Sequence, residues 1–389
     1  MHVRRCGTLM IEPRERLEFD LSLLSAPTLP GLRKVSEWNA YVPHAGIEVL
    51  LSEQEISASG DISPSTWTSF DQLAQTHPTD VLQSLLTKGV LIEQGTPADA
   101  KDRTLRDANW RSTAAVMHFS SRWKSSTTEE IQQRFIEHYQ ADLLERLGPA
   151  PPIVRERADK NDRVPLPRPD GTALDALLAS RVTCRNFDPR RTLKQSDFAA
   201  VLFRAYGARA VHDYAPDVQL LKKGVPSAGA LHATEAYLMI RGVEGISPGL
   251  YHYHPVDHAL EPIRELTLDE VSRIARIFVG VQPYFVDAQV FVVPVSRFYR
   301  TFWKYGNHTK AYRALILDIG HLSQAMYLAA TELGLAAFIT AAVNEVDIEE
   351  TFGLDPLEEG PMAVCGFGIR AEERNEIEFD PLHAVWKDG

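Results

Sequence analysis

Cysteine is scarce in this chain of 389 residues. Cys6, Cys184 and Cys365 lie far apart and form no Cys-x-x-Cys pair. Zinc sites and disulfide frameworks need more, or more closely spaced, cysteines, so we expect three reduced thiols, no metal site and a cytoplasmic protein. Basic residues are also outnumbered, with 41 Lys and Arg against 52 Asp and Glu and a formal net charge of −11. This acidic excess disfavours a general nucleic-acid binder, which needs a cationic face.

A long hydrophobic run without polar groups is also absent. The most apolar long stretch, residues 314–338, contains four groups that a membrane span rarely tolerates: Asp318, His321, Gln324 and Glu332. No apolar core follows the arginines near the N-terminus, so we expect no signal peptide and no membrane partner. Nucleotide fingerprints of the G-x-G-x-x-G or Walker kind are missing too, which disfavours a dinucleotide site.

Residues 1–105 form the first of three predicted regions. Two helical patterns, 68–77 and 79–89, are followed by a strand pattern, 90–94. Helix, turn, helix, strand is the order of a winged helix. The region has 9 basic and 14 acidic residues, a net charge of −5, whereas a winged helix that reads DNA is basic. We therefore expect a winged-helix-like module that docks a peptide or is purely structural.

Residues 106–172 and 173–389 form the other two predicted regions. The middle region holds a strong helical pattern, 126–148, and then a tract rich in proline and charge, which indicates an arm or linker. The last region alternates helical and strand patterns around a long, largely apolar helix at about 310–333. It predicts an α+β domain, and small residues in the long helix favour close packing against another helix, as in a dimer.

The run Ser-Arg-Val-Thr-Cys-Arg-Asn-Phe carries two arginines and a hydroxyl at alternate positions. In an extended chain the side chains of Arg181, Thr183 and Arg185 point the same way. Two forked guanidiniums and a hydroxyl on one side can clamp a phosphate. The alternative interpretation is a solvated, charged strand edge.

Two further stretches are candidates for ligand contact. In Pro-Ser-Ala-Gly-Ala-Leu-His, Ser227 and Gly229 keep the side chains small, which allows backbone N–H groups to approach a flat ligand closely. An ordinary turn before a helix is the alternative. Late in the chain a strand pattern ends in Gly-Phe-Gly, and Arg370 or Arg374 beyond it either reaches an anion or is surface charge.

Lys304 and Tyr305 stand side by side among aromatic residues. A lysine that is partly desolvated in such surroundings can act as a base. The alternative is a snorkelling lysine beside packed aromatics. The Tyr-His-Tyr-His run contains His252 and His254 but offers no third metal ligand, so we expect these histidines to be structural or to line a substrate.

The motifs taken together resemble the SagB-type flavin dehydrogenases, which belong to the nitroreductase fold. They are Arg-x-Thr-x-Arg, Pro-Ser-Ala-Gly-Ala-Leu-His, a Pro-Gly-Leu-Tyr-His-Tyr hairpin, Lys-Tyr-Gly, a long helix with Asp-x-Gly-His-x-x-Gln, and a final strand that ends in glycine. The resemblance covers about 173–389. It implies an α+β nitroreductase-like FMN fold, with a mixed sheet flanked by helices and a long central dimer helix, beside the winged-helix-like N-terminal module.

The resemblance also implies roles for single residues. Arg181, Thr183 and Arg185 would bind the phosphate and ribityl chain of FMN, and Arg370 or Arg374 would complete the phosphate site. Five residues would lie near the isoalloxazine ring, the first three of them from the other subunit of a homodimer: Ser227, Ala228, Gly229, Thr340 and Ala341. Lys304 matches the catalytic base, and Tyr305 would orient it or share the proton.

The implied reaction is the oxidation of a thiazoline or oxazoline, in a ribosomally made precursor peptide, to the thiazole or oxazole. Cyclodehydratase proteins would be further partners. Two alternatives stay open. The same flavin core could reduce dehydroamino acids or other unsaturated peptide groups with NAD(P)H, or the chain could be a non-catalytic docking scaffold in a peptide synthetase complex.

Overall fold

The computed structural model describes five stretches of the chain: 1–19, 32–127, 148–168, 171–306 and 308–387. Most of the helical pattern predicted at 126–148 lies outside these residues. The chain divides into two compact units. The first unit comprises 1–122, 297–315 and 354–360, and the second comprises 123–296, 316–353 and 361–389. The three regions predicted from the sequence remain a prediction, since neither compact unit is continuous along the chain.

The elements below are numbered over the described residues. The helices are α1 Glu53–Asp61, α2 Phe70–Leu73, α3 Thr79–Thr87, α4 Pro97–Asp107, α5 Ser112–Ser120, α6 Ala173–Ser180, α7 Gln195–Ala205, α8 Leu268–Phe278, α9 Phe298–Tyr305, α10 Lys310–Glu332 and α11 Glu345–Phe352. The strands are β1 His2–Arg5, β2 Met10–Phe19, β3 Leu32–Val42, β4 Ile47–Leu51, β5 Thr68–Ser69, β6 Leu91–Glu93, β7 Ala208–Ala215, β8 Val218–Lys223, β9 Thr234–Ile240, β10 Gly249–His254, β11 Ala259–Glu265, β12 Val290–Arg297, β13 Ala336–Thr340, β14 Glu359–Pro361 and β15 Val364–Gly368. Among the described helices, none has the length and apolar character needed to cross a membrane.

The first unit packs short helices against small sheets. One sheet has the strand order β5-β1-β6 and another the order β2-β3-β4. Helices α2 and α3 and strand β6 follow one another in the predicted order of helix, turn, helix, strand. Helix α1 was not predicted from the sequence because it has few apolar residues. It is fixed by a capping box in which Ser52 and Glu55 exchange side-chain and backbone hydrogen bonds.

An aromatic cluster joins α9 to the early part of the first unit. The Trp110 ring lies 4.7 Å from the ring of Phe298 and 4.8 Å from that of Phe302. Its indole N–H also donates to the Leu357 carbonyl at 3.1 Å. The two phenylalanines are four positions apart and share one helix face, so burying that face fixes α9 in this unit.

A large sheet forms the centre of the second unit, with β11-β10-β9-β12-β15-β13 as its main path. Neighbouring strands on this path are antiparallel, and Thr183 adds a parallel bridge to Ala337. Side chains of α7 and α10 pack on one face, and α8 and α11 share an aromatic cluster with Tyr237 on the sheet. Residues 290–296 of β12 are consequently all buried. The predicted α+β fold, with a sheet flanked by helices and a long central helix, is confirmed.

The Gly-Phe-Gly run serves the packing of β15. A Cβ atom at Gly366 would overlap the ring of Phe338 and lie 2.8 Å from the Val290 carbonyl oxygen. Without a side chain there, the Phe338 ring packs over the strand and stacks on Phe285 with centroids 4.0 Å apart. The glycine is therefore required by close packing within the sheet.

Candidate functional site

The segment that holds Arg181, Thr183 and Arg185 is extended and lies beside β13. The Cys184 N–H donates to the Ala337 carbonyl at 2.9 Å. Val182 and Cys184 are buried, whereas the three candidate residues between and beside them are only half-buried. The alternation places the two guanidiniums and the hydroxyl on the same outer side, as their spacing predicts.

Tyr327 of α10 contacts two of these three side chains. Its hydroxyl lies 3.0 Å from Thr183 Oγ1, and the Arg181 guanidinium lies 5.3 Å from the centre of its ring. Burial raises the pKa of Tyr327, which keeps the hydroxyl protonated and able to donate. No carboxylate among the described residues forms an ion pair with Arg181. Tyr327 was not predicted from the sequence, where it is only one more aromatic residue on the buried face of α10.

The C-terminal tail fixes the position of Arg185. Arg185 Nη1 donates to the Ile377 carbonyl at 2.7 Å, and the Arg185 N–H donates to Glu378 Oε1 at 2.6 Å. Asn186 Nδ2 and the Trp386 indole N–H also donate to this carboxylate, both at 2.8 Å. Burial opposes ionisation of Glu378, but the hydrogen bonds outweigh it and hold its pKa below the usual value.

Arg370 and Arg374 differ sharply in their surroundings. Arg370 forms an ion pair with the buried Glu378 carboxylate, and its guanidinium lies 5.4 Å from the centre of the Trp386 ring. Arg374 is exposed, and the next residue, Asn375, donates its N–H to Asn186 Oδ1 at 2.8 Å. Arg370 is therefore neutralised within the chain, and Arg374 is held beside the 181–186 segment with its guanidinium in solvent.

The small-residue turn before β9 is fastened to α10. Ser227 Oγ donates to Asp318 Oδ2 at 2.5 Å, and the Ala228 N–H donates to Asp318 Oδ1 at 3.2 Å. Gly229 has a φ of 61°, in the left-handed region that glycine enters most easily. The turn was predicted from the sequence, but its contact with Asp318, the first residue of the Asp-x-Gly-His-x-x-Gln motif, was not.

Thr340 and Ala341 lie where β13 ends. Thr340 is buried and its Oγ1 accepts the Ala342 N–H at 3.1 Å, whereas Ala341 is exposed. Ala337, which bridges Thr183, is only three residues earlier, or about 10 Å along a strand. One strand therefore carries contacts of the 181–185 segment near its start and the 340–341 pair at its end.

Lys304 and Tyr305 belong to the first unit, whereas all ten cofactor candidates belong to the second. Lys304 is exposed, and its Nζ lies 5.5 Å from the centre of the Tyr305 ring. The buried face of α9 carries Phe298 and Phe302 instead. The aromatic residues near Lys304 in sequence therefore do not bury it within the chain, and its role as a base stays a prediction.

The histidines of the β10 hairpin are held by acidic neighbours. His252 lies 3.2 Å from Glu235 and 2.6 Å from Glu261, and the hydrogen bond to Glu235, followed by that to Glu261, raises the pKa of His252 above its usual value. Within the described residues, no cluster of three or more His, Cys, Asp or Glu side chains is arranged to hold a metal ion. All three cysteines are free and buried.

Comparison with known protein families identifies the second half of the chain. Residues 178–369 match the model of the nitroreductase family. These residues form a nitroreductase-family domain. The match confirms the nitroreductase-family part of the resemblance inferred from the motifs. The matched range contains every candidate cofactor residue except Arg370 and Arg374, which lie within five residues of its end.

Three relatives align with the nitroreductase domain. A Methanocaldococcus jannaschii protein named as a nitroreductase is 27% identical over 209 residues, which cover 54% of this chain and 97% of that protein. The trifolitoxin-processing protein TfxB of Rhizobium leguminosarum bv. trifolii is 32% identical over 37% of this chain and 38% of its own length. The microcin B17-processing protein McbC of Escherichia coli is 27% identical over 39% of this chain and 56% of its own length. The chain thus spans about two fifths and just over half of the two processing proteins.

Two solved structures match this chain at low similarity. A chain of the E. coli microcin synthetase McbBCD complex with truncated pro-MccB17 bound matches with a TM-score of 0.48 and 20% identity, over 70% of this chain and 94% of that chain. A nitroreductase from Ralstonia eutropha matches with a TM-score of 0.42 and 22% identity, over 58% of this chain and 97% of that one.

The residues present fit the flavin that nitroreductase-family proteins typically bind. Arg181 and Arg374 form no ion pair with a described carboxylate, and Thr183 offers a hydroxyl on the same side as Arg181. This donor set suits a phosphate. The turn at 227–230 has only small side chains, which suits a flat ring.

Proposed function

We propose that this protein is an FMN-dependent dehydrogenase of peptide maturation, which oxidises thiazoline or oxazoline rings in a ribosomally made precursor peptide to thiazole or oxazole. The observation that carries the proposal is the outward row of Arg181, Thr183 and Arg185 within a nitroreductase-family domain. The names of two relatives, which process trifolitoxin and microcin B17, support a peptide as the substrate.

Residues of the second unit hold FMN in this proposal. Arg181, Thr183 and Arg185 bind the phosphate and the ribityl chain, and Arg374 completes the phosphate site. Arg370 is the weaker choice, because Glu378 already neutralises it. Five residues line the isoalloxazine ring, with the first three supplied by the other subunit of a homodimer: Ser227, Ala228, Gly229, Thr340 and Ala341.

Lys304 is the proposed base. Aromatisation of an azoline removes one hydride and one proton, and bound flavin supplies the hydride acceptor. Lys304 Nζ holds the proton taken from the ring carbon, and Tyr305 orients the amine or shares the proton. Since Lys304 is exposed in the chain alone, its desolvation depends on the substrate or on another chain.

The first unit is the proposed docking module for the precursor peptide. Strand β4 is at the edge of its sheet, and Ile47 and Leu50 on it are 43% and 52% exposed. A groove of about 140 Å³ next to this strand is lined in part by Tyr41, Val116 and Phe119. An exposed edge with a neighbouring groove suits the addition of an extended peptide strand. Cyclodehydratase proteins are the proposed further partners.

A homodimer is proposed through the exposed face of α10. Ile316 and Leu317 on that face are 42% and 59% exposed, and Gly320 beside them is also exposed. Apolar and small residues on a solvated helix face suit close packing against a second helix. Light scattering should give about twice the chain mass of 43.5 kDa. Leu317→Arg should yield a monomer, whereas Leu268→Arg, at an exposed leucine on α8, should not.

The cofactor is tested by identifying the flavin released from the denatured protein. FMN in the purified or reconstituted protein supports the proposal, whereas FAD, or no flavin in either sample, overturns it. The reaction is tested by mass spectrometry of a heterocyclised peptide, which should lose two hydrogen atoms per ring. Addition of two hydrogen atoms from NAD(P)H to an unsaturated peptide would instead support the reductase, and protein without flavin would support the scaffold.

A further inference from the structure

Asp318 is a buried carboxylate to which the proposed reaction gives no task. It lies on α10 and is only 6% exposed. Its two oxygens accept from neighbouring groups of one turn, Oδ2 from the Ser227 hydroxyl at 2.5 Å and Oδ1 from the Ala228 N–H at 3.2 Å. Hydrogen bonds to a charged acceptor are stronger than those between neutral groups, so this contact fastens the turn to the helix.

The turn needs a stabilising contact because its backbone conformation is unfavourable. Gly229, Ala230 and His232 have φ values of 61°, 57° and 45°. Residues with a Cβ atom seldom adopt this left-handed conformation, and two of the three have one. Ser227 closes the turn, because its Oγ also accepts the His232 N–H at 3.0 Å. A hydroxyl has one hydrogen to donate, and here the carboxylate receives it while a lone pair accepts from His232.

The same helix also holds the candidate phosphate segment. Tyr327, which contacts Thr183 and Arg181, lies nine positions after Asp318, or about 13.5 Å along the helix axis. A rigid element therefore fixes the backbone of the small-residue turn at one point and the phosphate-binding strand at another. Asp318 begins the Asp-x-Gly-His-x-x-Gln run, and this contact accounts for an acid at that position.

We propose that Asp318 is a positioning residue, which acts through Ser227 to hold residues 227–232 in the conformation that receives the flavin ring. The inference rests on the proposed function for the ring, but the holding of the turn is a property of the chain alone. A buried acid with a purely structural role would stabilise the fold without setting the environment of the flavin.

The first experiment measures hydrogen exchange in the protein without flavin. The amides of Ala230, Leu231 and His232 are hydrogen-bonded within the turn and report on it directly. In Asp318→Asn, which keeps the side-chain volume, and in Asp318→Ala, these amides should exchange about tenfold faster. Gln324→Ala, at an exposed position of the same helix, is the matched control and should exchange like wild type. Unchanged exchange in both Asp318 variants overturns the proposal.

The second experiment measures the bound flavin at saturation. Asp318→Asn should raise the dissociation constant of FMN about tenfold and change the visible circular dichroism of the flavin, which reports the asymmetry around the ring. Ser227→Ala should do the same, and the double variant should be no worse than either, because both changes break one chain of contacts. Gln324→Ala is again the matched control and should retain the wild-type affinity and spectrum.

The outcomes separate this proposal from the proposed function. If wild type binds no flavin, the proposed function fails, and the exchange experiment still decides whether Asp318 holds the turn. If wild type binds FMN and the Asp318 variants show faster exchange but an unchanged spectrum and affinity, the acid is merely structural and the positioning role is overturned.

Discussion

Two arginines, one in each compact unit, meet different partners. In the first unit Arg4 is buried and donates to Asp99 at 3.1 Å and to Asp102 at 2.7 Å, and Arg106 donates to Asp102 at 2.7 Å. In the second unit Arg181 lies over a tyrosine ring and has no carboxylate partner among the described residues. An arginine that is already paired holds the fold together, whereas Arg181, which has no such partner, is available to an anion. This difference supports the proposed cofactor role of Arg181.

The units also differ in the histidines that they bury. His44 and His118 of the first unit are buried, and burial lowers the pKa of His44 to about 4 and that of His118 to about 3. His252 of the second unit is held by Glu235 and Glu261, and its pKa is raised. Protonation of these histidines at low pH therefore destabilises the first unit and stabilises the second.

The largest effect is expected from Lys304→Ala, in the first unit. Peptide oxidation should fall by on the order of 10²–10⁴ because a general base is lost. FMN occupancy should stay at the wild-type level, since the cofactor candidates belong to the second unit. Mass spectrometry of the peptide and the flavin absorption spectrum measure the two quantities. Lys310→Ala, at another exposed lysine, is the control. Oxidation at the wild-type rate in Lys304→Ala would contradict the assignment.

Mild acid should destabilise the first unit before the second. A folded-state pKa of about 4 for His44 lies below the unfolded value of about 6.5, so the unfolded chain binds the proton first. The free energy of unfolding decreases as the pH falls from about 6.5 to 4. The full difference between the two pKa values corresponds to a loss on the order of 3 kcal/mol. Hydrogen exchange at several pH values should show faster opening of the first unit at pH near 5.

The second unit responds to acid in a lower range. The pKa of Glu378 is below its usual value, so its contribution is complete above the unfolded pKa near 4.5 and is lost as the pH falls further. His44→Gln, which cannot take up a proton, should reduce the acid sensitivity of the first unit only. If hydrogen exchange at pH near 5 were accelerated equally in both units, the prediction that acid destabilises the first unit before the second would be wrong.

Arg181→Ala should have an intermediate effect, confined to the cofactor. Loss of a charge-assisted contact of roughly 1.5–3 kcal/mol weakens FMN binding by about ten- to a hundredfold. Fluorescence titration of the protein depleted of flavin measures the dissociation constant. The thermal midpoint without flavin should not change, because Arg181 makes no ion pair in the described structure. Arg190→Ala, which removes an exposed arginine paired with Asp188, is the control and should bind FMN normally.

The smallest effect is expected from Arg374→Ala. An exposed arginine that reaches a phosphate is screened by solvent, so FMN binding should weaken by only about two- to fivefold. Arg370→Ala should instead lower the thermal midpoint, because it leaves the buried Glu378 without its ion pair. The reverse pattern, with FMN affinity lost in Arg370→Ala and kept in Arg374→Ala, would assign the phosphate to Arg370.

Local patterns sufficed for most elements of the second unit. The Tyr-His hairpin was predicted and is β10–β11, because short-range alternation and turn residues specify it. The long helix predicted at about 310–333 is α10. Strand β13 was missed, since its five residues have no flanking signal and it exists through pairing with β15. In the candidate site, the alternation at 181–185 could be predicted from local spacing. The contact with Tyr327, a residue distant in the chain, could not.

The sequence by itself determined the fold class, the outward row of arginines and the small-residue turn, because each depends on spacing within a few residues. Only the tertiary structure decided which groups those motifs meet. Arg370 and Arg374 look alike in sequence, yet Arg370 is neutralised by Glu378 whereas Arg374 is exposed. Lys304 has aromatic neighbours in sequence, yet helical periodicity turns the buried rings away from it. Burial and partner choice are set by residues distant in the chain, and local patterns carry no record of them.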